Sequence, residues 1–267
     1  MTTLHAYIDG IGLLAPGLTG WPQGRRVLAG DEPYAASKTA LPAPAMLPAA
    51  ERRRSGPLVR VALAAGAEAG AGVDLATLAT VFSSSGGDGV NCHELCEMLA
   101  SNDRQVSPTR FHNSVHNAAA GYWSIGAGAM ATASVLCAHD GSFGAGLLEA
   151  LAQVVADKVP VLLIAADTAY PEPLRAARPI PDEFAVGLLL SPVQGSQSMA
   201  RIAAALSGLP PTAMADPALE VLRGAVPAAR SLPLLHAIAR GTPVALVLDY
   251  LEHSRLAVDV APCGPAA

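Results

Sequence analysis

The segment ASVLCAHDGSF, residues 133–143, ends a β-prone run in Cys137 and passes through Ala-His-Asp-Gly into an apolar stretch with helical spacing. Strand, tight turn, thiol and helix N-terminus in that order can make a nucleophile. A helix dipole would help the thiol lose its proton. His139 lies two residues from Cys137, too close in sequence for the usual base–nucleophile bond. A base would have to arrive through space, from His112 or His116. The plain alternative is an inert packed cysteine. The chain has no G-x-S-x-G elbow, which argues against a serine hydrolase of the usual α/β type.

Three other patterns could carry chemistry. Cys92, Cys96, His112 and His116 spell C-x3-C-x15-H-x3-H, which is close to a zinc spacing. The central gap is longer than in a zinc finger, and Cys92 and Cys96 at i, i+4 also suit simple packing on one helix face. The plain reading, no metal, is preferred. Gly10, Gly12 and Ala15 in GIGLLA match a dinucleotide fingerprint, but Pro16 and Gly17 interrupt the helix that such a site requires. The pattern reads instead as a turn at a strand end. Ser83–Gly89, SSSGGDG, could cradle a phosphate with backbone N–H groups, or let a partner chain approach closely.

These residues need elements to hold them. LHAYIDGIGLL, ATVFS, MATASVLC and VPVLLIAAD read as strands. PLVRVALAAGAEAG, VNCHELCEMLAS and residues 141–157 read as helices between them, with Pro57 at a first helical position. The alternation predicts an α/β core with helices on the sheet faces. VPVLLIAAD is almost wholly apolar, as a strand covered on both faces should be. Residues 31–57 read as a long surface excursion ending in ERRRSG. After residue 180, EFAVGLLLSP, SMARIAAALSG, PVALVLDYL and RLAVDVAP read as strands, with one or two short helices around residues 216–240.

Composition narrows the function. Of 267 residues, 51% are apolar and only 15% charged, too few charges to cover an ordinary monomer, so a large apolar partner interface is expected. The net charge of −5 argues against nucleic acid. No apolar run reaches the ~20 residues that span a bilayer, and the N-terminal residues do not read as a signal peptide. The four cysteines are not spaced as a disulfide framework, which makes a reducing cytoplasm the expected location.

Set beside its strand and glycine turns, Cys137 resembles the nucleophile of a β-ketoacyl synthase of the thiolase-like fold. AYIDGIGLLAPG, VFSSSGGDG, VSPTRFHNSVHNAAAGYWSIGAG, TASVLCAHDGSFGAGLLEAL, VPVLLIAAD and FAVGLLLSP match the family in order, across residues 4–192. The resemblance implies an essentially complete N-terminal half, residues 1–192, and a strongly shortened C-terminal half, residues 193–267, packed on the same core. Active synthases of this family use Cys-His-His, with histidines in an H-G-T-x-T motif and a later G-H motif. Neither motif occurs here. IARGTPVALVLDYL keeps the final Gly241-Thr242 turn but lacks the phenylalanine that helps form the oxyanion hole. Decarboxylative condensation needs donors for the enolate formed on loss of CO₂, so a thiol alone could accept an acyl group but not extend a chain.

The chain is therefore most similar to chain-length factors, the short synthase-like proteins of polyketide and aryl-polyene clusters. That resemblance implies a heterodimer with an active β-ketoacyl synthase, an acyl carrier protein as second partner, and no cofactor or metal of its own. Cys137 would be a vestigial catalytic position. Val90, Asn91 and Glu94 would line or stop the partner's acyl tunnel, or belong to an ordinary interface helix that contacts the partner without gating. Phe111, His112, Asn113, His116 and Asn117 would lie on the interface or pocket rim, or fix their loop through side chain–backbone bonds. Arg52, Arg53 and Arg54 would steer the acidic carrier, unless they form a merely solvated loop. The competing readings are an acyltransferase or thioesterase acting through Cys137, and a homodimeric scaffold.

Overall fold

The run VLLIAAD is buried at every position, and its neighbours explain why. In the computed structural model, which describes residues 3–264, it is the third strand of a mixed eight-stranded sheet. The strands are β1 (Leu4–Leu14), β2 (Ala79–Ser83), β3 (Ala133–Leu136), β4 (Val161–Asp167), β5 (Phe184–Ser191), β6 (Ala200–Ser207), β7 (Val244–Leu251) and β8 (Ser254–Pro262). Their spatial order is β3-β2-β4-β5-β1-β6-β8-β7. The helices are α1 (Trp21–Ala29), α2 (Ala49–Arg54), α3 (Pro57–Ala69), α4 (Gly89–Ala100), α5 (Pro108–Asn113), α6 (Ala118–Ala127), α7 (Ser142–Asp157), α8 (Leu174–Ala177), α9 (Pro217–Ala225) and α10 (Leu232–Arg240).

Side chains alternate across β4. Val161, Leu163 and Ala165 join a core with α1, α7 and α10, while Leu162, Ile164 and Ala166 join a second core with α3 and α6. Helices therefore cover both faces, as the sequence predicts. The pairing is less uniform than the β/α alternation suggests. Only β3, β2 and β4 run parallel, and the remaining neighbours are antiparallel. The connection from β4 to β5 carries only the four-residue α8 and no helix that crosses the sheet, and β5 returns antiparallel.

Gly10 and Gly12 are not in a turn. Both lie inside β1, beneath α3, where a Cβ would come within 1.9 Å of the Ala69 and Ala65 carbonyl oxygens respectively. The glycines bring a helix backbone directly onto the strand. The fingerprint pattern is thus a packing device, and no helix begins at it.

Beyond Ser191, β6, β8 and β7 extend the same sheet past β1, and Val226, Leu235 and Val258 belong to the same core as Leu163. Residues 31–48 hold no helix or strand, in keeping with a surface excursion, although Thr39 and Leu47 within them are buried. The basic run is not a loop: Arg52, Arg53 and Arg54 form the last turn of α2, where cations complement the helix C-terminus. No described helix is long and apolar enough to cross a membrane.

Candidate functional site at the Cys137 elbow

Cys137 follows β3 directly, as expected, but α7 does not begin at the thiol. A 3₁₀ turn, His139–Gly141, intervenes, and the helix starts at Ser142. Cys137 therefore lies ahead of the helix's first turn rather than in it. The sulfur instead donates to the Ser85 carbonyl at 3.2 Å. His139 takes a left-handed φ of 51° to make the turn. Ser142 Oγ locks it, accepting from Ala138 N–H at 3.0 Å and donating to the His139 carbonyl at 2.6 Å. Gly141 lets β7 close on the turn, because a Cβ there would sit 1.8 Å from the Tyr250 carbonyl oxygen.

The loop after β2 is the second wall. Asp167, fully buried at the end of β4, accepts from Ser85 N–H at 2.7 Å and Ala228 N–H at 2.8 Å. It thereby ties the 84–87 loop to the 3₁₀ turn Pro227–Ser231. Burial pushes the Asp167 carboxyl above its ordinary range, against the opposing pull of the Ser85 and Ala228 hydrogen bonds and the Arg178 charge.

Charged side chains complete the elbow. Asp140 receives Arg178 at 2.7 Å and Arg230 at 3.1 Å. Arg178 also reaches the Ser85 carbonyl at 3.5 Å and lies over the Tyr170 ring, 5.9 Å from its centre. Burial raises the Tyr170 hydroxyl, with Arg178 opposing and Asp167, Cys137 and Cys92 adding. Beyond Arg230, Asp249 on β7 binds Arg223 at 2.6 Å. Clefts of about 270 and 330 Å³ flank His139 and Asp140. Behind the 84–87 loop the space is filled: the cavity between Phe82, Ser84, His116 and Ile164 measures about 10 Å³, scarcely a water's worth.

The expected site residues divide into several groups. Asn91 and Asn113 are buried fasteners: Asn91 Nδ2 donates to the Arg110 carbonyl at 2.9 Å, and Asn113 Nδ2 to the Arg54 carbonyl at 2.8 Å. Glu94 pairs with Arg110, joining α4 to α5. Val90 is half-buried, while Phe111, His112 and Asn117 are exposed. His112 packs edge-on against Tyr122. His116 Nε2 meets the Ser84 carbonyl at 3.2 Å, one residue from the carbonyl that holds Cys137. Thus His116 and Cys137 share a loop but no hydrogen bond. Cys92 and Cys96 sit exposed on α4, and burial pushes the Cys92 thiol up. Among the described residues no group of three or more His, Cys, Asp or Glu is placed to hold a metal. Sequence reasoning missed Arg178, Arg230, Asp167 and Asp249. Their partners lie far away along the chain, and no local pattern marks them.

The profile of the β-ketoacyl synthase N-terminal domain matches residues 28–240. The chain belongs to this family. A search of curated proteins finds no match. Among solved structures, this synthase-family chain is similar to a chain of a ketosynthase in complex with its chain length factor from Xenorhabdus doucetiae. The TM-score is 0.73 at 24% identity, over 96% of this chain and 99% of that one. It is also similar to a chain of a type II polyketide synthase acyl-carrier protein in complex with its ketosynthase bound to the hexaketide, at TM-score 0.74, 10% identity, and 98% and 100% coverage. Ketosynthase twelve of the bacillaene polyketide synthase of Bacillus amyloliquefaciens matches at TM-score 0.57 and 14% identity, over 76% of this chain but only 45% of its own. The fold is thus the thiolase-like fold of β-ketoacyl synthases. At these identities the solved structures speak for the fold alone.

Proposed function

We propose that this chain is a non-condensing chain-length factor that completes a heterodimer with an active β-ketoacyl synthase and shapes its acyl tunnel. One observation carries the reading. The elbow thiol donates to a backbone carbonyl, and neither nearby imidazole, His116 on the Ser84 carbonyl nor His139 beside Asp140, is bonded to it. No bonded thiol–imidazole pair is in place to manage the enolate of decarboxylation. Length supports the reading as well. The chain spans 99% of one chain in the Xenorhabdus complex but 45% of the bacillaene ketosynthase. The filled space behind the 84–87 loop means that an extended acyl chain needs room from a partner.

The partner would lie along β3, a short strand at the sheet edge, and in the segment that leads into it Phe111, Val115, Ile125 and Met130 expose 69%, 52%, 48% and 95% of their surface. An unpaired edge flanked by apolar side chains favours a protein neighbour. In this reading Val90 and Glu94 face the partner's tunnel and Asn91 holds their helix in place. Phe111, His112, Asn113, His116 and Asn117 form and brace the rim, and the exposed α2 arginines, Arg52, Arg53 and Arg54, meet the acyl carrier protein. Residues 193–267 act as the shortened C-terminal half.

The exposure of Cys137 favours one other reading, acyl transfer or thioester hydrolysis through that sulfur. Co-expression with a cognate synthase tests both. The chain-length reading expects a heterodimer by native mass, product formation by the pair, and condensation that survives Cys137→Ala. Met130→Asp with Phe111→Asp should break the complex and leave the fold intact. Loss of product in Cys137→Ala, or extension of a malonyl-primed chain by this polypeptide alone, would overturn it. A homodimer that ignores the synthase would leave only a scaffold.

A further inference from the structure

The two halves of the sheet are laid out alike. β4 follows α7 and pairs with β5, which pairs with β1; β7 follows α10 and pairs with β8, which pairs with β6. The likeness stops at the outer edge. β4 is paired there by β2 along Val161–Ala165, whereas β7 is the last strand of the sheet. Between Val244 and Leu248, Thr212 is the one described residue bonded to that edge. Its N–H donates to the Val247 carbonyl at 2.8 Å, and its Oγ1 accepts from Val247 N–H at 2.9 Å. A single threonine thus stands where the other half has a strand.

In an antiparallel pair, successive residues turn their N–H and C=O to opposite edges. Val247 turns them outward, to Thr212, so Ala245 does the same. Ala245 is exposed, and among the described residues nothing bonds to either group. Beyond Thr212 the chain leaves the edge, and a cleft of about 290 Å³ opens between Ala213–Ala215, α10 and residues 244–246. Met214, Pro233, Ala237 and Leu246 give it apolar walls. Its basic lining residues are His236 and Arg240, and no described carboxylate lines it. Both are anchored on the end of α1: His236 Nδ1–H donates to the Leu28 carbonyl at 2.7 Å and Arg240 Nη1 to the Ala29 carbonyl at 3.0 Å.

We propose that the β7 edge binds an extended peptide segment of a partner protein, which pairs with Ala245, sets an apolar side chain into the cleft and places a carboxylate against Arg240. Each feature of the surface selects one feature of the occupant. An outward N–H and C=O on an edge strand call for extended backbone. The apolar walls call for an apolar side chain. A cleft whose ionisable lining is basic calls for an acid. A second copy is a poorer match. Thr212 already covers Val247, and Pro243 has no N–H to give, so the bonds on offer suit a short segment rather than another eight-residue β7. The surface lies at the opposite edge of the sheet from β3, and the inference does not rest on the chain-length role.

Selection from a displayed library of random short peptides against the full chain tests it, followed by fluorescence anisotropy with a labelled synthetic copy of the best binder. The enriched peptides should combine an apolar residue with an acidic one. Ala245→Pro removes an N–H that the fold does not use, at an edge where proline is tolerated, and should weaken binding about ten-fold. Arg240→Gln should weaken the acidic peptide several-fold and leave its amide counterpart unchanged. In the wild-type chain the bound peptide should slow amide exchange at residues 244–246, a reading that stands even if a variant does not fold. No enrichment, peptides that bind Ala245→Pro as tightly as wild type, or unchanged exchange at residues 244–246 would each refute the proposal. A dimer of the free chain that Ala245→Pro dissociates would give the edge to a second copy and overturn it as well.

Discussion

Asp167→Ala is the sharpest test of how the elbow is held. Its carboxylate is the acceptor for two buried backbone donors, Ser85 N–H at 2.7 Å and Ala228 N–H at 2.8 Å. The variant leaves both N–H groups without a partner, at a cost of about 1–3 kcal/mol each. Two effects work against that loss. The alanine no longer carries the desolvation cost that raises the Asp167 carboxyl, and a water entering the vacated space restores part of the bonding. The expected net loss is therefore about 2–4 kcal/mol, a large share of the roughly 5–15 kcal/mol that stabilises a domain.

Urea unfolding followed by tryptophan emission reads it, since Trp21 and Trp123 are both buried. With a slope of about 3 kcal/mol/M, the midpoint should drop by roughly 1 M. The pH dependence gives an independent check. The folded-state carboxyl sits above its unfolded value, so the native state binds more protons just above pH 3.8. Wild-type stability then falls as pH rises from there towards the raised value, and Asp167→Ala should flatten that fall. A midpoint within about 0.2 M of wild type, or an unchanged pH slope, would show that Asp167 does not tie the two segments together.

Two further substitutions probe the surroundings. A Cβ at Gly86 would lie 1.9 Å from Tyr170 Oη, so Gly86→Ala should cost about 1–3 kcal/mol and Tyr170→Phe should recover a measurable part in a double-mutant cycle. Additive effects would contradict the contact. Arg223, 14% exposed, binds Asp249 and Glu220, and its hydrogen bonds lower the Glu220 carboxyl to about 2. Glu220 therefore stabilises the fold above about pH 4.5, and that contribution is lost as pH falls towards 2. Arg223→Ala should cost about 1–3 kcal/mol at neutral pH and reduce the acid-limb slope, both measurable by thermal melts.

What the sequence reveals depends on the range of the interaction. The 3.6-residue pattern of residues 142–157 and the apolar run at 161–167 are local, and both elements fold as read. The order of β/α elements is equally visible. The antiparallel return of β5 is not, because a wholly apolar strand reads the same in either direction and no sheet-crossing helix lies between β4 and β5. The same limit explains the glycines of GIG: spacing suggests a phosphate turn, while the structure uses the missing Cβ atoms for α3, some 55 residues away. At the elbow, Cys137 is legible from its strand and turn. Asp140 with Arg178 and Arg230 is not, since those ion pairs span 38 and 90 residues.

The distribution of contacts around Cys137 separates geometry from chemistry. The Ser142 hydroxyl, the Gly141–Tyr250 approach, the Asp140 ion pairs and the Asp167 tie all fix the backbone of the turn and of the 84–87 loop. None of them takes a proton from sulfur or offers a donor to a developing negative charge. Asp140 pairs with Arg178 and Arg230, and Asp249 lies 3.9 Å from Arg230, while Arg178 also reaches the Ser85 carbonyl that receives the thiol. These contacts hold a shape, and under the proposed chain-length role that shape is a rigid wall presented to another protein's substrate.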